Sequence, residues 1–520
     1  MADQPNIIMI VNDHQAYYRH GWDDGIKPQT PNFDRLCNEG ALFERSYCSS
    51  PLCGPSRRTL LTGLYPHNHK NYYNYTNSPY DHDVYLDRLA ECGYQNFYFG
   101  KWHAGPGTAQ DFKTEGISFT DYGNPYTSSD YHDYLKRHSL PPAKHHIERV
   151  FDNPALRRQF PNLKVNQFYQ CDGYWCGEHA IGLTVTPKET HESFFLANLA
   201  CQQLEKLADT SANQPFHLRV DFWGPHQPHF PTREFADLYN PKDIPVYGNF
   251  YDTLEGKPDY YFYDPNKPLS DDSDRLILPS PLSWTDWQNI LARVYAHITM
   301  VDAAGGTILD KLDELGLTEN TLVIWTADHG DGVASHGGHF DKGTYMSEEV
   351  IRVPLAMRYP GQVPTGERID ELVSGVDIPP TILSAAGTGF SNPVDGKNLF
   401  DLFRNDHNVW RDALLVETYG HGFGNRDLGR LIIWNQYKYI DYQDHPKELY
   451  NLANDPYELI NIVNQPDHQE IVKHLQEMLK LKLAETGDKD FSKPINESFF
   501  QSDENQLSAL FKRRGLTRIF

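Results

Sequence analysis

The chain has 520 residues, a formal net charge of −23, seven cysteines and 24 histidines. That length exceeds what one compact domain usually holds and allows a large core without covalent staples. The acidic balance excludes a nonspecific nucleic-acid binder and a protein drawn to anionic membranes, and the odd, irregularly spaced cysteines form neither a disulfide framework nor a zinc pattern.

No apolar run reaches the length of a membrane span. The start, "MADQPNIIMIVNDHQ", lacks the basic residues and long apolar stretch of a signal peptide. The expected location is cytoplasmic if Met1 is the native start, and periplasmic or secreted if a leader has been removed. "NIIMIV" (Asn6 to Val11) reads as a strand buried on both faces and ends at Asn12-Asp13-His14. "TPNFDRLCNEG" reads as a helix, with Thr30 as N-cap, Pro31 in the first turn and Gly40 at the exit. In "SSPLCGPSRRTLLTG" (residues 49–63) the chain turns at Gly54-Pro55 and a helix follows, closed near Gly63. "YQNFYFG" is a strand running into Lys101-Trp102-His103, and "FHLRVDFW" a strand running into Gly224-Pro225-His226. Residues 240–285, rich in Tyr, Asp and Pro, read as a long insertion outside the core. A helix from about Trp287 to Leu315 leads to the strand "TLVIWTA", which ends at Asp328-His329. "RVPLAMRY" is a further strand and "DIPPTILSAAG" a helix.

This alternation predicts an α/β fold with a large, mainly parallel sheet flanked by helices. Beyond about residue 400 the texture changes. "LLVET", "RLIIW", "YKYIDY" and "KELYNL" read as short strands, followed by a helix over about Glu470 to Leu483. The expected organisation is therefore a catalytic α/β domain over 1–400 and a smaller antiparallel α+β domain over 401–520, with a polar extension from Gly487 that packs on another surface.

Ligand sites of open α/β sheets lie at the carboxyl ends of the strands, and several strands here end in Asp, Lys or His. Asp13 and Asp328 can meet at that edge, where carboxylates suit a hard divalent cation; taken singly, each more commonly caps its own loop. Lys101, His103, His226 and Lys342 are the residue types that bind an oxyanion and protonate a leaving group. With 24 histidines in the chain, most must do something blander. Cys53 falls near a helix N-terminus, which favours an anion, with Arg57 beside it. It reads either as a thiolate nucleophile or as a buried inert thiol. No Cys-His-Asn order supports a thiol protease. The Tyr-rich "NYYNYTNSPYDHD" either stacks on sugar rings or, more commonly for such residues, packs hydrophobically.

Cys53-Gly54-Pro55-Ser56-Arg57 followed by "RTLLTG" resembles the signature of the formylglycine-dependent (type I) sulfatases of the alkaline-phosphatase superfamily. "PNIIMIVNDHQ", "GKWHAG", "GPHQPHFP", "VDAAGGTILDKLDELGLTENTLVIWTADHGD" and "KELYNLANDPYELINI" resemble further segments of that family in the same order, so the likeness spans most of the chain. The resemblance implies an alkaline-phosphatase-like fold and a sulfuric ester hydrolase. It implies that Cys53 is oxidised by a maturation enzyme to formylglycine (3-oxoalanine), whose hydrate attacks sulfur with one oxygen and expels sulfate with the other. It implies calcium, or magnesium or manganese, held by Asp13, the side chain at 53, Asp328 and His329. Arg57 would support the formylglycine. Lys101, His103, His226 and Lys342 would bind sulfate and assist the leaving alcohol.

The chain departs from the family pattern at His14, where relatives often carry a second acid. It also departs at Lys342, fourteen residues beyond Asp328 (342 − 328) and one more than the common spacing. The expected substrate is a sulfated carbohydrate, with aryl and choline sulfates as alternatives. A phosphonate monoester or phosphodiester hydrolase of the same superfamily and a catalytically silent binding protein are the competing readings. Nucleic acid and membrane are not expected as partners, and a homo-oligomer is left open.

Overall fold

The computed structural model describes residues 4–17, 26–74, 76, 78–120, 125–150, 166–171, 180–210, 214–263, 282–404, 410–420, 428–489 and 491. An eight-stranded sheet organises the catalytic part. Its order is Glu367–Ile369, Ala41–Phe43, Leu355–Arg358, Thr321–Ala327, Asn6–Asp13, Phe216–Pro225, Gln95–Lys101 and Glu115–Phe119. Neighbours pair in parallel except around Leu355–Arg358, which runs against both of its neighbours. The expected mainly parallel sheet is thus found, with one reversed strand.

The central strand shows why these segments are apolar on both faces. Successive side chains point to opposite sides of a strand. Ile8 and Ile10 enter one core with Val323, Trp325, Leu218 and Val220, under the helices Glu192–Thr210 and Trp284–Glu314. Ile7, Met9 and Val11 enter a second core with Ile324, under the helices Cys53–Thr62, Tyr85–Glu91 and Ile378–Ala385. A strand covered by helices on both faces has no solvent face on which to place polar residues until it reaches the sheet edge.

Several boundaries move for identifiable reasons. The long helix starts at Trp284 rather than Trp287, because Ser283 and Asp286 form a reciprocal capping box. Within it, a Cβ on Gly305 would stand 2.4 Å from the Trp325 ring, so glycine lets helix and sheet approach closely there. Thr30 precedes the Pro31–Glu39 helix as expected, but its side chain makes no cap bond. Asp302, from the long helix, accepts the Asn32 and Phe33 N–H groups instead, at 3.0 and 2.9 Å.

The C-terminal strands Ala413–Tyr419, Leu428–Trp434, Tyr437–Tyr442 and Glu448–Asn451 form the expected antiparallel meander, followed by the Gln469–Thr486 helix. One face of this sheet packs Leu431 and Ile433 with Tyr47, Met346 and Ile351 of the catalytic part. The other packs Ile432 and Tyr439 with Val472, Leu475 and Leu479 of the helix. Past Gly487, Asp488 accepts from Arg430 Nε at 2.7 Å, which ties the start of the extension to this sheet. Residues beyond 491 lie outside those described.

The expectation that 240–285 stands outside the core needs correction. Tyr247 and Phe250 are buried in the main core, and Lys257 Nζ donates to Tyr450 Oη at 2.9 Å and to the Glu458 carbonyl at 2.8 Å. This stretch fills the seam with the C-terminal sheet, and its apolar aromatics go where their area is removed from water. Residues 264–281 lie outside those described. Among the described residues every cysteine is a free thiol, and no helix is long and apolar enough to cross a membrane.

Candidate active site

Cys53 opens the Cys53–Thr62 helix, which begins two residues earlier than Pro55 and closes on Gly63 with φ 69°. The free Gly54 N–H donates to Asn74 Oδ1 at 2.9 Å, so the helix start is capped from a different loop. This places the sulfur at the carboxyl edge of the sheet, 3.0 Å from His329 Nε2 and 3.8 Å from Asp13 Oδ1. Asp13 and Asp328 end the adjacent parallel strands Asn6–Asp13 and Thr321–Ala327. One donor atom from each of Asp13, Cys53, Asp328 and His329 lies within 4.8 Å of the others, and all four residues are buried.

Arg57, one helical turn after Cys53, knits this edge together. Its Nε donates to Asp328 Oδ2 at 2.8 Å, one terminal nitrogen to Asp221 Oδ2 at 2.8 Å, and the other to Asp13 Oδ2 at 2.9 Å. Lys101 Nζ also contacts Asp13 Oδ2 and stands 4.1 Å over the Trp223 ring. Burial alone would raise the Asp13 carboxyl, but Lys101 and Arg57 hold it well below the usual carboxylate range. Burial and Asp13 push the Cys53 thiol up; Lys101, Lys342 and His329 outweigh them and bring it down to about 5. Burial lowers His329, whereas Asp328 and the Cys53 sulfur raise it, to about 8 on balance.

The remaining expected residues surround this cluster. His226 is buried; burial first, then Lys342, lowers it to about 4. Its Nδ1 donates to the Gln227 carbonyl at 2.7 Å, which leaves Nε2 with its lone pair. Its ring lies 4.8 Å from that of His14. Lys342 is buried, with Nζ 3.1 Å from Asp341 Oδ1. His103 has φ 44° and Nε2 3.2 Å from the Asn74 carbonyl, so it joins the site through the residue that caps Cys53. The neighbouring Trp102 is a packed ring, stacked on Phe112 at 5.5 Å. Asp13, Cys53, Arg57, Lys101, Asp328 and His329 are thus in direct contact, with His103, His226 and Lys342 around them. His14 Nε2 faces Asp331 and Asp341 at 3.4 and 3.2 Å. Burial, followed by Lys342, holds its pKa well below the usual value.

Four neighbours escaped the sequence reading. Asp221 is one of Arg57's three carboxylates and is also clamped by Arg219 at 2.6 and 2.8 Å. The signal was present: Arg219 and Asp221 alternate within an otherwise apolar strand, two charges on one face. Asn74 and Asp341 left no comparable trace, because loops bring them in, and Trp223 reads as one more apolar residue at the end of its strand. The Tyr-rich stretch takes its packing role: Tyr73 packs on Leu52, and the Arg58 guanidinium lies 3.2 Å over the Tyr80 ring.

The donor set fits a divalent cation. Two buried carboxylates kept ionised by neighbouring cations, an imidazole and the side chain at 53 converge on one point.

The sequence pattern of the Sulfatase family matches residues 5–388, and that of the N-sulphoglucosamine sulphohydrolase C-terminal region matches residues 335–485. An ulvan-active sulfatase of Formosa agariphila is 26% identical over 499 residues, covering 93% of this chain and 82% of that protein. An N-acetylglucosamine-6-O-sulfatase of Bacteroides thetaiotaomicron is 23% identical over 549 residues, covering 94% of this chain and 88% of that protein. Among solved structures, the phosphonate monoester hydrolase of Agrobacterium radiobacter superposes with a TM-score of 0.73 at 21% identity, covering 93% of this chain and 96% of that one, which shows the shared fold. With the family pattern spanning most of the chain and its catalytic sheet matched by a known fold, the protein belongs to the sulfatase family and is a sulfuric ester hydrolase.

Proposed function

We propose that the protein hydrolyses a sulfate ester of a carbohydrate at the cluster built on position 53. The observation that carries this reading is the placement of Cys53 Sγ at a helix start, 3.0 Å from His329 Nε2 and 3.8 Å from Asp13 Oδ1, inside a ring of cations. Oxidised to formylglycine and hydrated, this side chain supplies an oxygen nucleophile. A hard divalent cation such as calcium or magnesium would be held by Asp13, Asp328, His329 and position 53 and would supply Lewis-acid polarisation of a sulfate oxygen.

The chain's own residues do the rest. Arg57 holds the Asp13 and Asp328 carboxylates in place and keeps them ionised. Lys101 and Lys342 offer N–H donors where sulfate charge must be balanced, and His103, whose Nε2 is held by the Asn74 carbonyl, adds one at Nδ1 when protonated. His226, neutral and donating from Nδ1 to Gln227, presents Nε2 as the acceptor for a hydroxyl proton at position 53. The same nitrogen, once protonated, can return the proton to a departing alcohol. The names of the ulvan-active and N-acetylglucosamine-6-O-sulfatase relatives support a carbohydrate ester as the proposed class, with aryl and choline esters, for which other relatives of similar identity are named, as the alternatives.

Two measurements test this. Mass spectrometry of the position-53 peptide, after co-expression with a formylglycine-generating enzyme, should find the aldehyde or its hydrate. Sulfate release should be fastest from a sulfated glycan among a panel that includes an aryl sulfate, choline sulfate and a phosphonate monoester. Active enzyme carrying only thiol at 53 refutes the chemistry, and preference for another ester refutes the substrate class.

A further inference from the structure

Behind the substrate-facing wall lies a second group of metal-binding side chains that the proposed reaction does not use. The Phe216–Pro225 strand runs into the loop that carries His226. The Glu192–Thr210 helix begins on the other side of that loop, and His297 projects from the long helix. Between them is a cavity of about 20 Å³, bordered by His145, Cys171, His191, Glu192, His226 and His297. That is room for one water molecule. His191, Glu192 and His297 are each buried and each bring a donor atom within 4.8 Å of the others.

Two observations point to a cation here. Glu192 Oε2 and His297 Nε2 are buried atoms with no hydrogen-bond partner among the described residues, and leaving such groups unpaired is costly. Glu192 also forms no ion pair with a lysine or arginine among the described residues; its other oxygen accepts from Ser193 Oγ at 2.9 Å. A buried carboxylate without a counter-charge is expensive, and burial accordingly pushes this carboxyl up to about 7. Burial holds His297 and His145 down to about 3, so both rings are neutral, as ligands must be. His297 Nδ1 faces His229 Nδ1 at 3.3 Å, the kind of outer hydrogen bond that orients a ligating imidazole through its other nitrogen. His191 Nδ1 accepts from the Ser193 N–H at 3.3 Å.

We propose that His191, Glu192 and His297 form a second, buried metal site that takes a borderline divalent ion such as zinc, with a water in the adjoining cavity as fourth ligand. Two imidazoles and one carboxylate are a zinc-type set, unlike the oxygen-rich set at Asp13 and Asp328. A tetrahedral ion with bonds of about 2.0–2.1 Å needs its donors about 3.4 Å apart, a modest contraction from the arrangement present. The site is a positioning one. The backbone N–H groups of Trp223 and Gly224 face the Glu192 carboxylate and favour its ionised form. An ion that fixes Glu192 therefore fixes the entry to the loop carrying His226, together with the Trp223 ring on which Lys101 rests.

The test uses the full chain, stripped of metal and dialysed against Zn²⁺, with the bound ion counted by elemental analysis. The Asp13→Ala/Asp328→Ala double variant removes the catalytic cluster and should still bind one Zn²⁺ per chain. Adding His297→Ala or Glu192→Gln to that background should weaken binding about tenfold or more. Co²⁺ in place of Zn²⁺ should give visible bands of a four-coordinate site in the double variant and lose them in the triple ones. Glu192→Gln is close to isosteric, so it carries the test if His297→Ala fails to fold. The proposal is overturned if the double variant binds no Zn²⁺, or if folded triple variants bind it undiminished.

Discussion

The Arg57 guanidinium donates to Asp13 Oδ2 at 2.9 Å with both side chains fully removed from solvent. The same guanidinium reaches Asp221 and Asp328, so one arginine is the common counter-ion of three buried carboxylates. Among the described residues Arg219 pairs with Asp221 and Lys101 with Asp13, so Arg57 is the cation that all three carboxylates share. Arg57 is thus a condition for the edge of the sheet to hold a charge-bearing site.

Arg57→Ala should accordingly destabilise the fold by about 3–5 kcal/mol, the range for removing one partner of a buried ionic cluster. Chemical denaturation of the two proteins at neutral pH measures the difference. A change under about 1 kcal/mol, the ordinary size for a surface pair, would show that water reaches the cluster. Arg57→Lys should recover only part of the loss, because an ammonium cannot present a planar fork to three carboxylates.

Asp13→Ala and Asp328→Ala should each lose divalent-ion binding at the catalytic cluster and nearly all turnover, since these carboxylates provide most of the ligand charge. Exhaustive chelation of the unaltered enzyme should have the same effect, reversed by adding calcium back. Full turnover after chelation would contradict the proposed site.

His103→Ala and His226→Ala should each lower turnover by about 10²–10³-fold on an alkyl sulfate. An activated aryl sulfate leaves without a proton, so a histidine whose work is to protonate the alcohol should matter little there. His226 points its unprotonated Nε2 toward position 53. If it also takes the hydroxyl proton, its loss should be felt on both esters. Parallel kinetics on the two substrates, with melting temperatures alongside, separate these roles.

A pH effect on stability should come from His67, far from the reaction. Burial lowers its pKa, but the Glu417 carboxylate against its Nδ1 outweighs burial and raises it to about 9. The folded state therefore holds this proton more tightly than the unfolded chain, where histidine titrates near 6.5. The contribution, on the order of a few kcal/mol, is complete below about pH 6.5 and is lost as pH rises through about 9. Melting temperatures from pH 6 to 10 should fall more steeply for the unaltered protein than for His67→Asn. Parallel curves would show that the pair does not titrate in this range.

Much of this protein can be read from its sequence because periodicity and strand ends are local properties. Runs such as "NIIMIV" and "TLVIWTA" are short, β-branched and without polar alternation, as strands covered on both faces are. Their abrupt ends at Asp13 and Asp328 are where the polypeptide first leaves the core. Lys101, His103 and His226 were legible as polar residues where strands end, whereas the motif around Cys53 and Lys342 drew their meaning from the family resemblance; the structure gathers them around one edge. What the tertiary structure decided is where each charge finds its partner. Asp221 became a ligand of Arg57, Asn74 the cap of the Cys53 helix, and Asp302 the cap that Thr30 does not supply. Each of these bonds joins residues from different elements, often hundreds of positions apart, and no local pattern encodes such a distance. The stretch from 240 onward shows the same limit from the other side. Its polar, aromatic composition resembles a surface loop, yet Tyr247 and Phe250 are buried in the main core, where their rings pack on Trp284 of the long helix. The buried His191, Glu192 and His297 belong to this class as well: ordinary residues of a helix start and a helix interior, made into a cluster only by the crossing of two helices beneath a strand.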